Sequence, residues 1–146
     1  VERLVRHHSE DVLWPLIRFC EHHLKSQQAK PEDLELCSNK DGALRLLGSL
    51  RDELFCLDPA QGKKGSRPRQ GHSESVVSLE DILSVHVRPD LASPVAFLRL
   101  RACWVYQKFA PRLRLTQAGA SRAACFECSR LIADPELPVR VMACAS

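Results

Sequence analysis

The residues best suited to chemistry in this chain are thiols. Cys125 and Cys128 form a C-x-x-C pair. A structural zinc site needs four ligands, commonly two such pairs or one pair with two His, and the sequence has no second pair. A redox C-x-x-C normally opens a helix after a strand, whereas this one lies inside a helical pattern. We therefore expect core packing and a surface thiol here. The alternative, thiol or metal chemistry, predicts bound zinc or a low thiol pKa.

Histidines and phosphate-binding loops add no further site. The pairs His7-His8 and His22-His23 are adjacent in sequence, and neighbours on a helix point about 100° apart, so they rarely share one metal. The segment 62–66, GKKGS, lacks the spacing and the flanking strand of a phosphate-binding loop. Nothing singles out a nucleophile paired with a His. The sequence predicts no enzyme, no metal and no cofactor.

Composition indicates a globular chain. Hydrophobic residues make up 45% of the 146 residues and aromatic residues 5%, so Leu, Val, Ala and Cys must form most of the core. No apolar run approaches the ~20 residues of a membrane span, and the N-terminus lacks a signal-peptide core. The seven Cys lie in apolar patterns, which favours a reducing compartment. The chain lacks an initiator Met and stops within a helical pattern, so we expect an internal piece of a longer protein.

The charge pattern excludes a typical nucleic-acid binder. The net charge is +3 and is spread along the chain, without interleaved aromatic and basic residues. The one basic cluster lies in segment 58–75, which is rich in Gly, Ser, Pro and Gln. We predict a mobile surface loop there, and a nuclear-localisation signal is the alternative interpretation. The cluster consists of Lys63, Lys64, Arg67 and Arg69.

Apolar spacing predicts six helices and no strand. The first two are separated by a polar connector at 27–35, and the second begins near Ser38 or Asn39. The helices form pairs, within one helical segment at 1–146, that occupy 9–57, 77–110 and 117–146.

Local signals mark some helix ends and contacts. Ser9 and Ser78 are predicted N-caps, the latter with Asp81 three residues later. Gly42 and Gly48 lower helix propensity by about 1 kcal/mol each, so we expect them to allow close approach of a neighbouring helix. We expect Trp104 to be buried.

The second helices of the pairs align on basic residues. Arg101 and Arg140 are 39 residues apart, and Lys40 precedes Arg101 by 61 because the loop intervenes. This alignment places Ala43, Trp104 and Ala143 facing inward. A two-helix repeat of ~40 residues is typical of HEAT solenoids. The predicted fold is all-α: an α-solenoid of about three HEAT-type hairpins, part of a longer ARM/HEAT superhelix. A plain helical bundle is the alternative.

In such a solenoid the second helices line the concave surface where partners bind. Arg99, Arg101 and Lys108 lie on one such helix, and Arg101 and Lys108 share one helix face. With Lys40 they could form a basic stripe that contacts an acidic partner segment. Pairing of these residues with Asp and Glu of adjacent helices is the interpretation that we favour.

Segment 134–140, DPELPVR, resembles the HEAT consensus before a repeat's second helix. In that family an acidic residue and a basic residue six positions later build a ladder of charge pairs between repeats. The resemblance therefore implies an inter-repeat charge pair role for Asp134 and Arg140. Val95 and Leu34 stand at the acidic position in the earlier repeats, where the ladder is interrupted.

Four segments together resemble the importin-beta (karyopherin-beta) family, in the branch of importin seven and importin eight. They are FCEHHL at 19–24, NKDGALRLLGSL at 39–50, LRLRACWVYQKF at 98–109 and ADPELPVRVMA at 133–143.

The resemblance implies a receptor that carries protein cargo through the nuclear pore under control of Ran-GTP. Its implied partners are cargo, Ran and nuclear pore proteins, with Ran bound by repeats outside this chain. We expect shuttling between cytoplasm and nucleus, presence at the nuclear envelope, and no contact with membrane or nucleic acid. The net charge of +3 departs from the acidity of that family. The alternative function is a HEAT-repeat scaffold for another protein complex.

Overall fold

A computed structural model describes residues 9–58, 78–111 and 118–145. Most of the predicted loop at 58–75 and the pair His7-His8 lie outside these residues, as does the side chain of the predicted cap Ser9. Helices account for nearly all of the described residues, which contain no strand. None of the described helices is long and apolar enough to span a membrane. The predicted all-α fold is confirmed.

Seven helices make up the described part of the chain. The fourth begins as one α-helical turn, Leu79–Asp81, widens into a π-helix, Ile82–Val87, and tightens into a 3-10 helix, Arg88–Ala92. We number these three segments together as α4. The others are α1 Ser9–Ala29, α2 Leu34–Ser49, α3 Arg51–Leu57, α5 Ala96–Phe109, α6 Ala118–Arg130 with a 3-10 extension at Leu131–Ala133, and α7 Leu137–Ala145.

The helices form antiparallel hairpins that stack side by side. Hairpin 1 consists of α1 and α2 with α3, hairpin 2 of α4 and α5, and hairpin 3 of α6 and α7. The second helices form one row, because α5 packs against α2 on one side and against α7 on the other. Side-chain bonds from Gln28 to Val85 O (3.1 Å) and from Arg88 to Glu127 (2.8 Å) connect the first helices. The result is an all-α helical repeat with two layers.

Two helix boundaries in hairpin 1 differ from the prediction. Helix α2 begins at Leu34 rather than near Ser38, because the Asp33 carboxylate accepts the backbone N–H groups of Glu35 (3.0 Å) and Leu36 (3.2 Å). This is an N-cap that the sequence analysis missed. Helix α1 continues to Ala29, so the polar connector is shorter than predicted. The predicted cap of α4 is confirmed, since Ser78 Oγ accepts the N–H of Asp81 at 3.1 Å.

Helix α4 is irregular where a regular helix was predicted. A π-turn shifts backbone hydrogen bonds by one residue, and Leu83 O accepts the N–H of Arg88, five residues later. Side chains of neighbouring helices also bind two carbonyls of this turn: Leu83 O accepts the Tyr106 hydroxyl at 3.3 Å, and Val85 O accepts Gln28 Nε2 at 3.1 Å. The irregular turn is thus held both by hairpin 1 and by the second helix of its own hairpin.

One apolar core runs through all three hairpins. Its largest fully buried hydrophobic side chains come from the first two, and Val139 and Ala143 extend it into hairpin 3. Small residues and thiols contribute to this core beside Leu, as the sparse aromatic content predicts. Fully buried members include Leu24, Leu44, Leu50, Leu54, Leu79, Cys20, Ala43, Ala102 and Cys103.

The two glycines of α2 have different surroundings. A Cβ at Gly48 would overlap Cζ3 and Cη2 of Trp104, whereas a Cβ at Gly42 would meet no atom within 4 Å. The predicted close approach is therefore confirmed for Gly48 and wrong for Gly42. Trp104 itself is half-buried rather than buried, because its ring covers Gly48 at the surface between α2 and α5.

The repeat has a longer step than the basic residues suggested. Arg99 Nη1 donates to the carbonyls of Ser93 (2.9 Å) and Pro94 (3.2 Å). Arg140 Nη1 donates in the same way to the carbonyls of Asp134 (2.8 Å) and Pro135 (3.0 Å). Arg99 and Arg140 are therefore equivalent, and the step between hairpins 2 and 3 is 41 residues. The predicted alignment of Arg101 with Arg140 is wrong by two positions.

The corrected step explains the burial pattern. Ala143 corresponds to Ala102, and both are buried. Trp104 corresponds to Ala145, which is exposed. The inward position of hairpin 2 is therefore Ala102 and not Trp104.

Candidate protein-binding face

Lys40 lies inside the protein, between hairpins 1 and 2. Its Nζ is 2.7 Å from Asp90 Oδ1 and donates to Gln27 Oε1 at 3.1 Å. The Lys40 side chain is 2% exposed. The prediction that Lys40 contacts a partner is wrong, because α4 brings a carboxylate to this position and covers the lysine.

Arg101 also serves the junction between hairpins 1 and 2. Its Nε lies 2.7 Å from Asp41 Oδ1, and the Arg101 side chain is 9% exposed. Asp41 also accepts Arg45, one helical turn later, at 3.5 Å. Arg101 thus makes the favoured pairing with a neighbouring helix, and its guanidinium is not free to act as a direct partner contact.

Asp134 connects hairpin 3 to hairpin 2. Its carboxylate accepts Arg99 Nε at 2.7 Å and Arg99 Nη2 at 2.9 Å, while Arg140 binds the carbonyls of its own turn. The charge pair across this junction therefore joins Asp134 to Arg99, the residue of hairpin 2 that is equivalent to Arg140, while Arg140 binds the backbone carbonyl of Asp134. The bidentate hydrogen bond from Arg99 holds the pKa of Asp134 below its usual range.

A second ion pair crosses the same junction in the other layer. Arg88 at the start of the 3-10 turn contacts both carboxylate oxygens of Glu127, with Nη2 at 2.8 Å from Oε1. Sequence reasoning missed Arg88, Glu127, Asp90 and Asp41 as partners.

Lys108 is the predicted contact residue that remains at the surface. It is exposed near the end of α5. Its ammonium lies 5.7 Å from the ring centroid of Trp104, within the range of a cation–π interaction. Among the described residues, no carboxylate lies within ion-pair distance of this group.

Two more arginines are connected to the residues that contact this indole ring, because Arg45 shares Asp41 with Arg101 and Arg51 bonds to Lys108. Arg45 on α2 has a side chain that is 67% exposed. Arg51 at the start of α3 donates Nη1 to Lys108 O at 3.5 Å, so it reaches the end of α5. We refer to Arg45, Arg51, Trp104 and Lys108 as the Trp104 surface.

The two thiols of the C-x-x-C pair lie in different environments. Cys125 is exposed and Cys128 is buried. A hydrogen bond with Cys103 and burial raise the pKa of Cys128 well above its usual range, and burial raises the pKa of Cys20 to about 12. Raised pKa values disfavour the nucleophilic thiolate. Within the described ranges, no cluster of three or more His, Cys, Asp or Glu could hold a metal ion.

Comparison with known proteins finds similarity to importins. Importin-8 of Mus musculus and importin-8 of Homo sapiens are each 31% identical to this chain over 134 residues, 92% of the chain. The importin beta-like SAD2 homolog of Arabidopsis thaliana is 34% identical over 102 residues, 70% of the chain. These similarities support the importin-beta family.

The similarity is partial. The chain spans 11% of the length of the importin-8 proteins and 8% of the Arabidopsis protein. No family model matches the chain. No solved structure matches it at a significant level.

Proposed function

We propose that this chain is a segment of a nuclear transport receptor that carries protein cargo through the nuclear pore under control of Ran-GTP. The observation that carries the proposal is the combination of stacked helical hairpins with similarity to importin-8 over 92% of the chain. Ion pairs hold the hairpins to one another at both junctions. A stack of this kind presents an extended surface, on which many weak contacts add up to recognition.

The proposed segment acts by recognition and not by catalysis. Its second-helix row would offer Lys108 and the rest of the Trp104 surface to a partner, while Ran binds repeats elsewhere in the parent protein. The proposed partners are protein cargo and nuclear pore proteins, and the proposed localisation is cytoplasm, nucleus and nuclear envelope.

Binding of the full-length protein to Ran tests this proposal. We expect tight binding to GTP-loaded Ran and weak binding to GDP-loaded Ran, measured side by side with the same preparation. A folded protein that binds neither form would contradict the proposal.

The second candidate is a HEAT-repeat scaffold for another protein complex. The net charge of +3 favours it, since the resemblance to importins implies an acidic chain. A scaffold of that kind would fold and bind its own partners, but it would show no preference between GTP-loaded and GDP-loaded Ran. The same experiment therefore distinguishes the two functions.

A further inference from the structure

The Trp104 surface holds its aromatic ring in a fixed place. Gly48 leaves a slot on α2 that the Trp104 ring edge fills, and any larger residue at position 48 would collide with that ring. Arg101 lies 5.0 Å from the ring centroid and is itself fixed by the ion pair with Asp41. A ring held on two sides is a rigid platform for a further group.

That further group is the Lys108 ammonium. A free lysine side chain at a helix surface loses considerable rotamer entropy when it binds. Lys108 is positioned over Trp104 before any partner arrives, so less of this entropy remains to be lost. The ammonium is compact, has three donors, and lacks a carboxylate partner among the described residues.

The charges around the ring are mainly positive. Three of the four cations, Arg45, Arg51 and Arg101, pair with only two carboxylates, Asp41 and Asp52, and Lys108 pairs with neither. Asp41 is shared between two arginines, and Asp52 pairs with Arg51 at 3.0 Å. The surface therefore carries excess positive charge, with Lys108 and the exposed Arg45 as its most available donors.

We propose that the Trp104 surface docks an extended acidic segment of a partner protein, with carboxylates placed on Lys108 and Arg45. The ring positions the lysine, and complementary charge selects the partner. The inference rests on the proposed function only in treating the second-helix row as a partner-binding surface. It holds equally for cargo of a transport receptor and for a client of a scaffold.

A labelled oligoglutamate peptide is the probe, tested on the full-length protein at low and physiological ionic strength. We expect Lys108→Glu and Arg45→Glu each to weaken its binding about fivefold or more, by removing one favourable charge contact and adding a repulsive one. Lys25→Glu is the matched control, because Lys25 is exposed on α1 in the other layer, and it should leave affinity unchanged. Circular dichroism verifies that each variant is folded.

A second readout localises the peptide. A carbodiimide joins a peptide carboxylate to a nearby lysine amine as an amide, with loss of water. We expect mass spectrometry to find the cross-link at Lys108 and not at Lys25 or Lys30. Equal labelling of these lysines, absence of peptide binding, or an equal effect of all three substitutions would overturn the proposal.

Two further measurements are needed. The first distinguishes a protein-docking site from a nucleic-acid site, and the second distinguishes a failure of the docking proposal from a failure of the proposed transport function. Stronger Lys108-dependent binding of a DNA oligonucleotide with the same number of charges would overturn the assignment of a protein segment. Binding of GTP-loaded Ran is measured on the same variants. Loss of the peptide with Ran binding intact supports the docking site, whereas failure of Ran binding in every variant and in the parent contradicts the proposed function alone.

Discussion

At the scale of single residues, the Lys40–Asp90 pair is a buried ion pair between two hairpins. One oxygen, Asp90 Oδ2, has no hydrogen-bond partner among the described residues. The interaction with Lys40 therefore offsets much of the free-energy cost of burying this carboxylate. Lys40→Ala should lower the free energy of unfolding by about 3–5 kcal/mol, because it leaves a buried charge unpaired. Urea denaturation measures this change. Arg45→Ala, which removes an exposed cation, should cost no more than about 1 kcal/mol. Similar losses in the two variants would contradict the buried role of Lys40.

The Arg99–Asp134 pair predicts how stability depends on pH. The pKa of Asp134 is lower in the folded chain than in the unfolded chain, because Arg99 binds the ionised carboxylate. The resulting stability is complete above the unfolded pKa of about 4 and is lost as pH falls through the folded pKa. Asp134→Asn should therefore be less stable at neutral pH and lose less stability on acidification. Denaturation at a series of pH values measures both effects, and Arg99→Gln should give the same shallower dependence. An unchanged acid dependence in both variants would exclude this source of stability.

At the scale of one helix, the glycines of α2 provide a matched pair. Gly42→Ala should raise the free energy of unfolding by up to about 1 kcal/mol, since Ala favours helix and the added Cβ meets open space. Gly48→Ala should lower it despite the same gain in propensity, because the Cβ collides with Trp104. Thermal melts give the two signs, and Trp fluorescence should change in the Gly48 variant alone. Stabilisation by both substitutions would mean that Trp104 does not occupy this slot.

Sequence patterns predicted the elements better than the contacts between them. Apolar spacing identified six of the seven helices and did not separate the short α3 from α2. Ser78 was recognised as a cap because the backbone N–H that it accepts, that of Asp81, lies only three residues away. The π-turn of α4 was not predictable from spacing, since it depends on bonds from Gln28 and Tyr106 on other helices. Of the residues that form the Trp104 surface, the sequence predicted only Lys108 as a contact residue. Burial of Lys40 depends on Asp90, fifty residues away, and a basic residue on a helix face gives no local sign of a distant carboxylate.

At the scale of the whole molecule, the step of 41 residues shows what covers each second helix. Arg99 and Cys103 of α5 face hairpin 3, where they meet Asp134 and Cys128. The equivalent face of α7 contains Arg140 and its neighbours, and no described helix covers it. Two large apolar side chains of α7 are exposed: Leu137 is 60% exposed and Val141 is 61% exposed. Stacked repeats bury such faces against one another.

An uncovered apolar face predicts self-association of the isolated chain. We expect the chain of 146 residues to be poorly soluble and to associate with increasing concentration, because association removes Leu137 and Val141 from water. Val141→Glu should reduce this association by placing a charge in the contact. Val85→Glu is the matched control, since Val85 is 50% exposed on α4 in the other layer, and it should have little effect. Sedimentation velocity over a range of concentrations measures the change. A sharp monomeric species with a cooperative melt, in the unsubstituted chain, would show that the α7 face needs no partner.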